Sequence, residues 1–217
     1  MARWASGAVV SAALTIALAA AAPTLASDVV PLVTTYIGAS QPAAAAEALS
    51  GAVCSADTPQ VLAAAPGRSL DDGAVQGTTS RDLGEFAARF NEIRVEHCLD
   101  PIPAENFRYD ACLEDRLAWI AGDPSEDPAS AWGHEGSVRS DGLPSVGCDG
   151  NLAGGTGNSG ATVAAKWWDS LPHRASLYRP DSDADLTRVC IAFAMTHGGV
   201  PDESPDLTRA SARWLDC

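Results

Sequence analysis

Six cysteines, Cys54, Cys98, Cys112, Cys148, Cys190 and Cys217, set the strongest limit on how this 217-residue chain folds. No two of them form a Cys-x-x-Cys pair, so the spacing does not suit a zinc site. An even number in an exported chain reads as three disulfides instead. Sequence alone leaves their connectivity open. Local order favours Cys98–Cys112 and then Cys148–Cys190, which leaves Cys54–Cys217 to fasten the leader to the C-terminus. With all six paired, no cysteine is left to act as a nucleophile.

The expectation of export rests on the N-terminus. Arg3 precedes an alanine-rich apolar run from Ala5 to Ala22, and Thr24-Leu25-Ala26 offers small residues where a signal peptidase reads them. Residues 1–26 are read as a cleaved signal peptide. A retained anchor is the competing reading, since the run is just long enough to span, but no basic cluster follows it. The expected location is extracellular, with no integral membrane segment after cleavage. Residues 27–80 hold alanine runs, scattered Pro and Gly and few large apolar side chains, and read as a low-complexity leader or linker. The formal charge of −14 argues against nucleic acid, which needs clustered Lys and Arg, and against an anionic bilayer.

Ordered elements are expected from Arg81 onward. Leu83, Phe86, Phe90 and Ile93 share one helical face, and a helix that starts near Asp82 should end near Cys98. A second helix is predicted over Asp110–Ala121, stopped by Gly122, and a third over Ala161–Leu171. Between the last two lie polar loops, Trp132-Gly133-His134-Glu135-Gly136, and a glycine-bounded turn at Gly147–Asn151. Thr187–Met195 alternates large and small residues and predicts a strand that closes at Gly198-Gly199. Residues 201–217 read as a polar C-terminal tail.

Taken in order, these motifs resemble the CAP superfamily of cysteine-rich secretory proteins, antigen 5 and pathogenesis-related proteins, in its bacterial SCP-like branch. Phe90-Asn91-Glu92-Ile93-Arg94 is similar to the family's Leu-Asn-x-x-Arg, and Tyr109–Leu113 to the start of its second helix. Trp132-Gly133-His134 stands where the family has its first cavity histidine. Gly150-Asn151-Leu152-Ala153 aligns with Glu-Asn-Ile-Ala, and Trp167–Leu177, containing Ser-Leu-Pro-His-Arg, with Trp-x-x-Ser-Pro-Gly-His-Arg-x-x-Ile. The resemblance implies an α+β domain over residues 81–200, built as a disulfide-braced α-β-α sandwich around a small, mostly antiparallel sheet. It implies a cleft containing His134, Glu135, Asn151, His173 and Arg174, with His134 and His173 as candidate ligands for a divalent metal such as zinc.

One departure stands out: Gly150 replaces the glutamate that joins the family's two histidines. Asp149, one residue earlier, and Glu135, directly after His134, are the acids that could stand in for it. A one-residue shift in an extended segment reverses the face a side chain occupies, which disfavours Asp149. His134-Glu135 is no His-Glu-x-x-His helix, Ser170 sits in no Gly-x-Ser-x-Gly elbow, and Gly154-Gly155-Thr156-Gly157 is followed by no Lys-Ser/Thr. Asn151 is expected to satisfy turn backbone, Arg174 to pair with Asp169 or Asp181, and Trp167 to pack in the core, with Trp168 divided between core and groove. The expectation is a secreted, monomeric, non-enzymatic module that requires no cofactor and binds a protein, lipid or small molecule in the cleft. A metal-assisted hydrolase and a structural cell-envelope protein are the alternatives.

Overall fold

Order begins earlier in the chain than its composition suggests. The computed structural model describes Cys54 and residues 56–58, 64–70 and 74–217. The segment read as a signal peptide lies outside those residues. Inside the span read as linker, β1 (Ser69–Leu70) and β2 (Val75–Gln76) pair antiparallel. Strand β2 then meets a long strand, β5 (Val189–Gly199), where Gln76 faces His197. Val75 of β2 is fully buried, and polar contacts add to the attachment. The buried Thr78 hydroxyl donates to the Met195 carbonyl at 3.1 Å and accepts from the Met195 N–H at 2.9 Å.

Helix α1 (Ser80–Glu96) begins with a reciprocal cap. The Thr79 hydroxyl accepts from the Asp82 N–H, and the Asp82 carboxylate accepts from the Thr79 N–H. Leu83, Phe86, Phe90 and Ile93 are buried as their spacing predicts. Asn91 and Arg94 are buried too, and both brace the chain. Asn91 bonds both backbone groups of Ile102, while Arg94 donates to the carbonyls of Asp100 and Tyr178. Strand β3 (Phe107–Tyr109) runs parallel to β5, and helix α2 (Ala111–Ala121) follows with Asp110 as its cap.

After a long loop come β4 (Asn151–Thr156) and helix α3 (Gly160–Asp169). A helical turn at Leu171–His173 then widens into a π-helical turn at Arg174–Tyr178. The final segment corrects the expectation of a tail: Glu203–Asp216 forms β6, which pairs with β5 along its length and on its other side with β4. The buried residues of β6 include Thr208, Arg209, Ala210, Ser211 and Ala212, a run too small and polar to announce itself as core. The strand order is β1-β2-β5-β6-β4, with β3 also on β5, and every pairing except β3–β5 is antiparallel.

Alternation along β5 divides the core in two. Ile191, Phe193 and Met195 join the cluster beneath α1 and α3, whereas Ala192 and Ala194 join that of α2. Helices therefore cover both faces of a mostly antiparallel sheet, which is an α+β arrangement. Among the described residues no helix is long and apolar enough to cross a membrane.

All six cysteines are paired, but not as local order suggested. The disulfides are Cys54–Cys98, Cys112–Cys148 and Cys190–Cys217, each with Cα atoms 5.1 Å apart. The cause is topological. Because β6 pairs back on β5, Cys190 faces Leu215 and the C-terminal Cys217 falls beside it. Cys148 is held against the start of α2, its N–H bonded to the Cys112 carbonyl at 2.9 Å. That leaves Cys98, at the end of α1, for Cys54. Three disulfides fit an exported protein.

Candidate functional site

The loop between α2 and β4 carries Trp132 and His134, and one acid ties it down. Asp123, buried at the end of α2, accepts from the Ser125 and Ser140 N–H groups and from the hydroxyls of Ser130 and Ser140. Burial alone would raise its carboxyl, but these donors outweigh that and hold it down at about 2. With its base fixed in this way, the loop places the Trp132 indole against β4. A Cβ on Gly154 would come within 2.7 Å of that ring, so only glycine lets the indole lie on the strand.

Beside Trp132 lies a groove of about 530 Å³. Its apolar surface comes from Trp132, Leu152, Trp167 and Leu207, and its polar lining from Lys166, Ser170, His173, Thr208 and Arg209. Trp167 is core and groove wall at once: it is 1% exposed, meets Phe86 edge-to-face at 5.8 Å and donates Nε1–H to the Leu152 carbonyl at 3.2 Å. His173 ends the turn that follows α3. Partial burial, and then the nearby charge of His134, hold its imidazole below the usual histidine range, so it is neutral at pH 7.

Of the five residues expected in one cleft, only His173 lines this groove. His134 sits outside it, its side chain 64% exposed, with Nδ1 2.8 Å from Asp149 Oδ1. An ionised carboxylate only accepts, which assigns the proton to Nδ1. Asp149 also accepts from the N–H groups of Glu135 and Gly150. Its burial raises the carboxyl, but these bonds bring it below the ordinary carboxylate range. Glu135 thus contributes backbone to this cluster. Asn151 donates to the Ala212 carbonyl of β6 and accepts from the Ser176 hydroxyl, joining sheet to π-turn. Arg174 turns away from the groove and lies over Trp168, 5.1 Å from the ring centre, and is not paired with Asp169 or Asp181. Trp168 packs against the core and not in the groove, with the His97 ring stacked on it at 4.1 Å.

Asp149 lies in the irregular segment before β4, and its carboxylate reaches His134 but makes no bond to His173. The packing at Gly150 shows why no glutamate stands there. A Cβ would meet the Ser211 hydroxyl at 2.5 Å and the Ala212 carbonyl at 3.0 Å, both from the neighbouring strand. Gly150→Glu is therefore expected to destabilise the protein by about 1–3 kcal/mol, the usual cost of overpacking, without drawing His134 and His173 together. Urea denaturation of the variant, showing stability equal to the parent, would contradict this.

Among the described residues no three His, Cys, Asp or Glu side chains are gathered where they could hold one ion. The donor set of His134 and His173 thus does not by itself fit a zinc centre with three protein ligands. The residues missed by sequence reasoning are Trp132 as a groove wall, Lys166 and Leu207. Gly154-Gly155 inside a strand was the available signal, because paired glycines there mark a close approach. Comparison with protein-family models, curated proteins and solved structures finds no match for the chain.

Proposed function

We propose that this chain is a secreted, disulfide-braced binding protein of the CAP type, and that the groove between Trp132 and His173 receives a small, largely apolar ligand. The observation that carries this is the groove itself: about 530 Å³, walled by two indoles and two leucines, with a few polar groups among its lining. That size and composition suit a small molecule. The CAP assignment draws support from how the motifs are used. Asn91 and Arg94 clamp the exit of α1, Asn151 links β4 to β6, and His173 and Arg174 follow α3, all around a sheet covered by helices on both faces.

Binding rather than catalysis is the role these groups support. His134 is committed to Asp149 outside the groove, His173 stands within it without a hydrogen-bonded base or acid, and the cysteines are in disulfides. The test uses N-phenyl-1-naphthylamine, a neutral apolar fluorophore that takes up energy from tryptophan. The parent protein should bind it, and Ser170→Trp should abolish binding by filling the groove. Ser170 is half-buried and its side chain caps neither flanking helix, so the change leaves the fold intact. Failure of the parent to bind the probe, or binding unaffected by Ser170→Trp at an unchanged melting temperature, rejects the groove as a binding site.

A further inference from the structure

The groove's charge is the reverse of the molecule's. The chain has 28 acidic residues against 14 basic ones, yet the groove is lined by Lys166, His173 and Arg209 and by no Asp or Glu. Arg209 is already neutralised, because Glu203 takes both of its terminal nitrogens at 2.6 and 2.7 Å. His173 is neutral at pH 7. Lys166, the sole lysine in the sequence, is different: its ammonium bonds the neutral Asn158 Oδ1, and no carboxylate faces it among the described residues. Its position is also particular. The ammonium lies over Gly155, where a Cβ would be 3.9 Å away, while Trp132 covers the adjacent Gly154. A single uncompensated cation thus stands beside an aromatic wall.

We propose that the ligand is an amphipathic monoanion, a small molecule whose carboxylate or sulfonate pairs with Lys166 while its apolar body lies along Trp132, Trp167 and Leu207. This rests on the groove being a binding site, and it adds the ligand's charge and the residue that reads it. An anion supplies Lys166 with the partner that the rest of this acidic chain withholds, beside apolar walls that lower the local dielectric and strengthen the pairing. A neutral ligand would leave the ammonium's position without use. A dianion would meet a single free cation in the field of a strongly acidic protein.

The test compares two probes that share a skeleton, N-phenyl-1-naphthylamine and its sulfonated counterpart, 1-anilinonaphthalene-8-sulfonate. The variant is Lys166→Gln, which removes the charge from an exposed helical position and keeps an amide able to donate to Asn158. The parent should bind the sulfonate more tightly than the neutral probe. Lys166→Gln should weaken the sulfonate about tenfold or more, the scale of one charge-assisted hydrogen bond, and leave the neutral probe within about twofold. The sulfonate should also slow acylation of Lys166, which peptide mapping separates from the chain's terminal amine. If Lys166→Gln leaves sulfonate binding unchanged while Ser170→Trp abolishes both probes, the groove binds but Lys166 does not read charge, and this inference fails alone. If neither probe binds the parent, the groove assignment fails and takes this inference with it.

Discussion

Gly160→Ala should lower the stability of the protein by about 3 kcal/mol, the upper end of the usual cost of overpacking. Gly160 opens α3 at the point where that helix crosses α1. A Cβ there would lie 2.0 Å from the Asp82 carbonyl oxygen and 2.6 Å from the Phe86 amide nitrogen. Both are backbone atoms inside α1, so no side-chain rotation relieves the contact. The helices would have to separate, and the cluster of Phe86, Phe90, Val163 and Trp167 between them and the sheet would loosen. Gly84→Ala provides the opposite sign on the facing helix α1, since a Cβ at Gly84 meets nothing within 4 Å. It should stabilise by about 0.5–1 kcal/mol through helix propensity alone. Urea denaturation of the pair decides the matter: equal midpoints for Gly160→Ala and the parent would mean that α1 and α3 do not approach this closely. Because Trp167 also walls the groove, Gly160→Ala should weaken ligand binding as well.

Gly160 illustrates what sequence can and cannot reveal. The three helices and β5 were legible because each carries a strong period: Leu83, Phe86, Phe90 and Ile93 on α1, and Ile191, Phe193 and Met195 on β5. Strand β6 was not, because Thr208-Arg209-Ala210-Ser211-Ala212 has no apolar face to detect and becomes buried only by pairing between β4 and β5. The disulfide connectivity followed from that miss, since Cys217 meets Cys190 only if β6 exists. The site divides the same way. His173 was legible from a motif, and it lines the groove. Lys166, Trp132 and Leu207 reach it from a helix, a loop and β6, a meeting that depends on long-range topology. Asp149 falls before β4, where alternation gives no guide, and of the two histidines it reaches only His134.

The attachment of β1 and β2 to the domain gives the second large expected effect, centred on Glu114. This carboxylate, fully buried on α2, accepts from the Thr78 N–H at 2.7 Å, the Tyr109 hydroxyl at 2.8 Å and Arg68 Nε at 2.7 Å. One side chain thus joins the N-terminal hairpin, β3 and α2. Glu114→Ala should cost about 2–4 kcal/mol, because it leaves the Thr78 N–H buried without an acceptor and the Tyr109 hydroxyl without a partner. Hydrogen exchange should show the loss concentrated at Gly77, Thr78 and the facing Met195. The pH dependence separates charge from shape. Burial pushes the Glu114 carboxyl upward, but the Thr78, Tyr109 and Arg68 donors outweigh it and set the folded pKa below the ordinary 4.5. A depressed folded pKa stabilises the protein above the unfolded value, and that stability is lost as pH falls through the folded one. Glu114→Gln cannot titrate, so the stability gap between parent and variant should hold steady above about pH 5 and narrow on acidification below 4.5. Asp82, Asp123 and Asp149 are depressed as well, but they titrate in both proteins and cancel from the difference. A gap that stays constant down to pH 3 would show that Glu114 holds the hairpin by hydrogen-bond geometry alone and that its charge contributes nothing.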